Sequence, residues 1–288
     1  MKRGVALCGV VVASTLIASQ AAQPLRIVST APSITETLFA LGLGDRVVGV
    51  STYCHYPPEV ASRPRIGTYL RPNVEAIVAL RPDLVILQSL PHSAGPQLAR
   101  MKLNVLEVDH GNLEYSLSAI QTIGNRSGAD DRAAKLILEM RSRLDAIRQR
   151  TAKAPRRSLV FIVGRTPGRV DGLIAVGKGS YLNELIEIAG GVNALAGTPQ
   201  AYPKISLEAL LGMNPHVLVD MGDMADTVNV AEEHIREVVA LWGRYPALRA
   251  VAGKRVYAVA SDIFVVPGPR IVDAAVAFER MLHPETAK

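Results

Sequence analysis

The sequence has 288 residues, is 49% hydrophobic and 20% charged, and carries a formal net charge of +6. Its basic residues are dispersed apart from Lys153-Ala154-Pro155-Arg156-Arg157 at a helix end, and none is interleaved with aromatics, so nucleic acid is a poor candidate partner. Its two cysteines, Cys8 and Cys54, exclude a disulfide framework, because Cys8 falls within the leader segment.

That leader opens Met1-Lys2-Arg3, continues apolar from Val5 to Ala18 and reaches Ser19-Gln20-Ala21-Ala22. A basic start, a short hydrophobic run and small residues predict a secretory signal peptide over residues 1–22, cut after Ala21 or Ala22. The run is shorter than the roughly 20 apolar residues of a membrane span. Cys8 lies inside it, too early for a lipid attachment site. Every later apolar run is broken by Arg, Asp or Pro, so the mature chain is expected to be soluble and extracytoplasmic. Roughly 265 residues remain, which suit two lobes of ordinary domain size.

From Leu25 the pattern alternates strand and helix. Arg26–Ser29 reads as a strand, Pro32–Gly42 as a helix with a glycine stop, and Val47–Val50, Leu84–Leu87 and Val105–Val108 as further strands. Short apolar strands between helices predict a parallel sheet covered on both faces. Asp130–Thr151 is one unbroken helical pattern, with Ala133, Ile137, Met140, Leu144 and Ile147 at helical spacing and no Gly or Pro. It is either a long surface helix or a strut between two lobes. Alternation resumes with a strand Ser158–Val163, a helix from Gly179 to the Gly190-Gly191 pair, a helix near Val230–Leu241, a strand Arg255–Val259 and a helix Arg270–Leu282.

Two stretches 133 residues apart superpose without a gap: Asn73–Ile86 and Ser206–Val219. Each reads as an N-cap residue, a short apolar helix ended by a proline, and a buried strand. Each places a glutamate, Glu75 or Glu208, at the second helical position. A carboxylate there suits the helix dipole on its own account. Its recurrence makes the two glutamates equivalent points on two related lobes, and the position of the long helix between the repeats favours the strut.

Taken in order, Arg26-Ile27-Val28-Ser29, Ser33-Ile34-Thr35-Glu36, Val48-Gly49-Val50-Ser51, Tyr56-Pro57-Pro58, Asn73-Val74-Glu75-Ala76-Ile77, Leu80–Val85, Ala189–Asn193 and Pro269-Arg270 resemble the periplasmic substrate-binding proteins of ABC importers for cobalamin, haem and iron–siderophores. The resemblance spans the mature chain. It implies an α/β fold of two Rossmann-like lobes joined by a single long backbone helix: residues 23–128, a helix at 129–153, and residues 154–288. Ser51–Pro58 is most similar to the cobalamin-binding branch, whereas Tyr69 and Tyr202 stand where that branch has tryptophans and only Trp242 remains.

The resemblance implies a non-catalytic carrier, a monomer, that delivers a metal chelate to a membrane permease. Glu75 and Glu208 would each meet an arginine on one permease half. Cobalamin or a related corrinoid is the first cargo, with haem or a ferric siderophore as the alternative and no resident cofactor. Ligand contacts are expected on loops at the carboxyl ends of parallel strands, at Tyr53, His55, Tyr56, Tyr69, Arg165, Tyr202, Phe264 and Arg270, with Leu87–His92 on a comparable loop. Tyrosines offer a flat face to a macrocycle and a hydroxyl to its rim. No bare-metal site is expected, since His55, His92, His110, His216, His234 and His283 are scattered without zinc-like spacing, although His55 or Tyr53 could reach a chelated metal. A secreted enzyme is the rival class, but there is no Gly-x-Ser-x-Gly elbow or His-Glu-x-x-His, and Gly177-Lys178-Gly179-Ser180 lacks the phosphate-loop frame.

Overall fold

Residues alternate strictly between the two faces of the central strands, so apolar side chains must be covered on both sides. Ile27, Leu84 and Ile86 enter one core while Val28, Val85 and Leu87 enter another. Leu159 and Phe161 likewise part from Val160 and Ile162. The computed structural model describes residues 23–109, 111–222 and 232–285, which leaves the proposed signal peptide and His110 outside the description.

The first lobe runs β1 (Ile27–Ser29), α1 (Pro32–Ala40), β2 (Val47–Val50), α2 (Val74–Ala79), β3 (Leu84–Gln88), α3 (Gly95–Arg100), β4 (Val105–Val108) and α4 (Leu113–Ser127). Its sheet has the order β2-β1-β3-β4, parallel throughout. The connecting helix α5 spans Asp130–Thr151, 22 residues and therefore about 33 Å. The second lobe comprises β5 (Arg157–Gly164), β6 (Leu173–Ala175), α6 (Tyr181–Ile188), β7 (Gly191–Asn193), β8 (Lys204–Ile205), α7 (Leu207–Met213), β9 (Val217–Asp220), α8 (Glu232–Gly243), α9 (Arg249–Ala252), β10 (Val256–Ala258) and α10 (Ile271–Leu282).

The fold is thus α/β, two lobes joined by one long helix. Besides the short α3, β7 and α9, two features depart from the sequence reading. The second sheet, β10-β9-β5-β6-β8 with β7 beside β5, is mixed: β6 pairs antiparallel with both β5 and β8. Their segments are only two or three residues long, too short for a periodic signal. The other feature is α4, which the sequence reading passes over although Leu113, Leu117, Ile120 and Ile123 are buried at helical spacing, Asn112 caps its start and Gly128 ends it at φ 68°.

One apolar cluster runs through both lobes, from Ile34 and Leu38 of α1, by way of Met140 and Leu144 of α5, to Leu185 of α6 and Phe278 of α10. Ion pairs fasten α10 along the strut. Arg143 meets Asp273 at 2.8 Å, and Arg150 grips the buried Glu279 with two bonds of 2.7 Å.

Candidate inter-lobe binding cleft

The two duplicated helices are built alike. The Asn73 side chain accepts from the Ala76 amide at 2.9 Å, and the Ser206 hydroxyl accepts from the Ala209 amide at 3.1 Å. Such caps satisfy amides that a helix start leaves free. On the first turn of each helix Glu75 and Glu208 stand exposed. The Glu208 carboxyl is held below its ordinary value by its own backbone amide and by the Ser206 hydroxyl.

Between the lobes lies a cleft of about 550 Å³. The first lobe contributes Tyr53 and His55 from the loop after β2, Tyr69 and Leu70 ahead of α2, Pro32 and Ser33 at the start of α1, and Gln88 and Leu90 at the end of β3. Facing them are Ser180 and Tyr181 at the start of α6, Tyr202, and Asp262 with Val265–Pro267. These are strand carboxyl ends and helix starts, the places where α/β folds put ligands. Tyr53 and Tyr69 pack edge to face with centroids 6.0 Å apart, which fixes two neighbouring rings on one wall. Across the cleft the Tyr202 hydroxyl accepts from Ser180 at 3.2 Å. Tyr181 is buried, its hydroxyl donates to the Phe264 carbonyl at 3.0 Å, and burial pushes its ionisation well above the ordinary tyrosine range. The wall is aromatic and aliphatic with a few polar groups, which suits a large, flat, largely apolar solute.

Tyr53, His55, Tyr69 and Tyr202 therefore share the cleft. Four other residues named from the sequence do not line it. Arg165 is 3% exposed and bonds Asp220, itself fully buried, at 2.9 Å. That carboxylate also accepts from the Trp242 indole, so the arginine is held inside the second lobe. Phe264 packs against Phe161 and Phe278 in the core. Arg270 and Tyr56 lie outside the lining, paired with each other, the guanidinium 3.9 Å over the Tyr56 ring. Arginine and phenylalanine at strand ends resemble ligand contacts in sequence until their distant partners, Asp220 or Phe278, are placed. The residues missed include Pro32, Ser33, Ser180, Tyr181 and Asp262. The signal that could have found the first four is their position at the N-termini of α1 and α6. Among the described residues no group of three or more His, Cys, Asp or Glu is placed to hold a metal ion. Cys54 is buried against Thr35, and burial raises its thiol to about 11.

Residues 27–262 match the model of the periplasmic binding protein family. The chain belongs to that family. It is 30% identical over 274 residues to an ABC transporter substrate-binding lipoprotein of Bacillus subtilis, YvrC, covering 92% of this chain and 82% of that one. Its fold superposes on the crystal structure of the periplasmic vitamin B12 binding protein BtuF of Vibrio cholerae with a TM-score of 0.75, at 26% identity, covering 92% and 99% of the two chains. The periplasmic heme-binding protein RhuT from Roseiflexus is similar too, with a TM-score of 0.73 and 25% identity, covering 91% and 99%. Members of the family bind solutes and are not enzymes. Among the described residues no helix is long and apolar enough to cross a membrane.

Proposed function

We propose that this chain is an extracytoplasmic carrier of an ABC importer that captures a corrinoid, cobalamin in the first instance, in the inter-lobe cleft. The observation that carries this reading is the cleft wall itself. Tyr53, Tyr69 and Tyr202 lie among Leu70, Leu90, Val265 and Val266, with hydroxyls and the Gln88 amide spaced between them. A corrin ring stacks on such faces, and its peripheral amides meet the phenolic hydroxyls. The BtuF fold, covering nearly all of both chains, supports the same cargo. Delivery runs through Glu75 and Glu208, one exposed carboxylate on each lobe, to cations on the two halves of the permease. The expected signal peptide at residues 1–22 supports a role outside the cytoplasm, and a single two-lobed chain supplies the whole cleft.

Haem is the second reading. It rests on the nearness of Tyr53, His55 and Tyr69, any of which can ligate a chelated iron, and on the similarity to RhuT. Titration of the mature chain with cyanocobalamin and with hemin, followed by heat and visible absorbance, separates the two. The corrinoid reading expects one-to-one binding of cyanocobalamin that weakens when Tyr69 or Tyr202 is replaced by alanine. Hemin binding with a shifted Soret band, and no response to cyanocobalamin, would transfer the site to haem.

A further inference from the structure

Arg270 belongs to the second lobe, immediately before α10, yet its guanidinium is held by the first. Its Nε donates to Glu36 Oε2 at 3.0 Å, and its Nη2 donates to Glu36 Oε1 and to Asp262 Oδ2, the latter at 2.9 Å. The Tyr56 ring closes the third side. Glu36 lies on α1, 234 residues earlier in the chain, and its side chain is 2% exposed. Burial lifts the Glu36 carboxyl above its ordinary value even with the guanidinium beside it. For Arg270, burial alone works against the charge, but the bonds to Glu36 and Asp262 outweigh it and hold the group protonated. A second cross-lobe bond lies nearby: Glu184 of α6 accepts from the Leu113 amide at the start of α4, at 2.9 Å.

The Glu36–Arg270 tie borders the cleft. Pro32 and Ser33, which precede Glu36 in the chain, and Asp262 and Val265–Pro267, which precede Arg270, line the cavity. Gly268 presses on the same spot, where a Cβ would come 3.1 Å from Glu36 Oε2. Widening the cleft at this wall pulls Glu36 away from Arg270 and leaves the buried Glu36 carboxylate without its charged partner, while Arg270 keeps only Asp262, and an uncompensated buried carboxylate is an arrangement proteins strongly avoid.

We infer that Glu36–Arg270 is a latch that fixes the separation of the lobes. Arg270 and Glu36 are then positioning residues that set the cleft width and the spacing of Glu75 and Glu208 without touching cargo. Glu184 is a second, weaker tie. The role in cargo capture rests on the function proposed above; the role in lobe spacing does not.

The test uses spin labels at Val78→Cys and Leu211→Cys, exposed sites on α2 and α7. Cys54 is buried with a raised thiol, so it stays unlabelled at neutral pH. Electron–electron resonance on the ligand-free mature protein is expected to give one narrow distance distribution. The double variant Glu36→Gln with Arg270→Gln is expected to broaden it and shift it to longer distances, and Glu184→Ala to broaden it further. If a tenth of the molecules then hold the binding-competent spacing, apparent cargo affinity falls roughly tenfold while the unfolding midpoint changes little. Should the double variant fail to fold, Arg270→Lys, which keeps the charge but loses the two-pronged grip, serves instead. A distribution as narrow as wild type in the variant that folds overturns the latch. Broadening together with no corrinoid binding by any form upholds the latch and rejects the cargo assignment.

Discussion

The two duplicated modules share a backbone and differ in chemistry. In each, a side-chain cap opens the helix, a residue of left-handed conformation precedes the proline (Arg81 at φ 46°, Asn214 at φ 43°), and a buried strand follows. In each, the first residue after that proline bonds in both directions to the neighbouring strand. Asp83 receives the Leu25 and Arg26 amides at 2.9 Å and gives its own amide to the Arg26 carbonyl at 2.8 Å. His216 faces the Ser158 amide at 3.2 Å and gives its amide to the Ser158 carbonyl at 2.9 Å. A carboxylate in one lobe and an imidazole in the other therefore do the same structural job. What the modules hold in common beyond shape is an exposed glutamate, and shape alone does not require that. This is the strongest internal argument that Glu75 and Glu208 answer to one two-fold partner.

The largest expected effect breaks that symmetry of use. Charge reversal at Glu75→Arg or Glu208→Arg should each weaken permease association by about 2–5 kcal/mol, and the double reversal should abolish it. Complex formation with the importer in lipid nanodiscs measures this, with cargo affinity as the control that should not move. If one single reversal is silent, docking is not two-pointed.

Removing the caps sharpens the structural half of the comparison. Asn73→Ala and Ser206→Ala should each cost about 1 kcal/mol in urea unfolding, because each deletes one bond to a helix-start amide. Unequal losses would show that one module leans on tertiary packing more than the other.

The smallest effect comes from the residue that differs. Arg249 Nη1 approaches His216 Nε2 at 2.8 Å, while Ser158 occupies the Nδ1 side. Burial, then Arg249, Arg157 and Arg255, lower the ring's ionisation below its ordinary value. A histidine depressed in the folded state contributes stability above about pH 6.5 that is lost as pH falls through and below that value. The unfolding midpoint should therefore decline between about pH 7 and 5, and His216→Asp, which copies the first module, should flatten the decline. An unchanged slope would remove His216 from the account.

Much of the architecture could be read from local pattern. The strut was legible from end to end, because Met140, Leu144 and Ile147 keep helical spacing with no Gly or Pro to interrupt them. The repeat was legible because its caps and prolines are local signals. The cleft was only half legible. Tyr53, His55, Tyr69 and Tyr202 lie on loops that strand order points to, but sequence spacing cannot show that Arg165 is taken by Asp220 or Arg270 by Glu36. Those partners are 55 and 234 residues away. The antiparallel β6 and its edge partner β8 escaped for a different reason: two or three residues cannot display a period.

The central claim, that the inter-lobe cleft receives a corrinoid, is tested most directly by a crystal structure of the mature protein grown with cyanocobalamin. The account predicts the corrin ring between the Tyr53–Tyr69 wall and Tyr202, with Glu36 still bonded to Arg270. A corrinoid seated elsewhere on the surface, or a cleft that stays closed to it at saturating concentration, would contradict the claim.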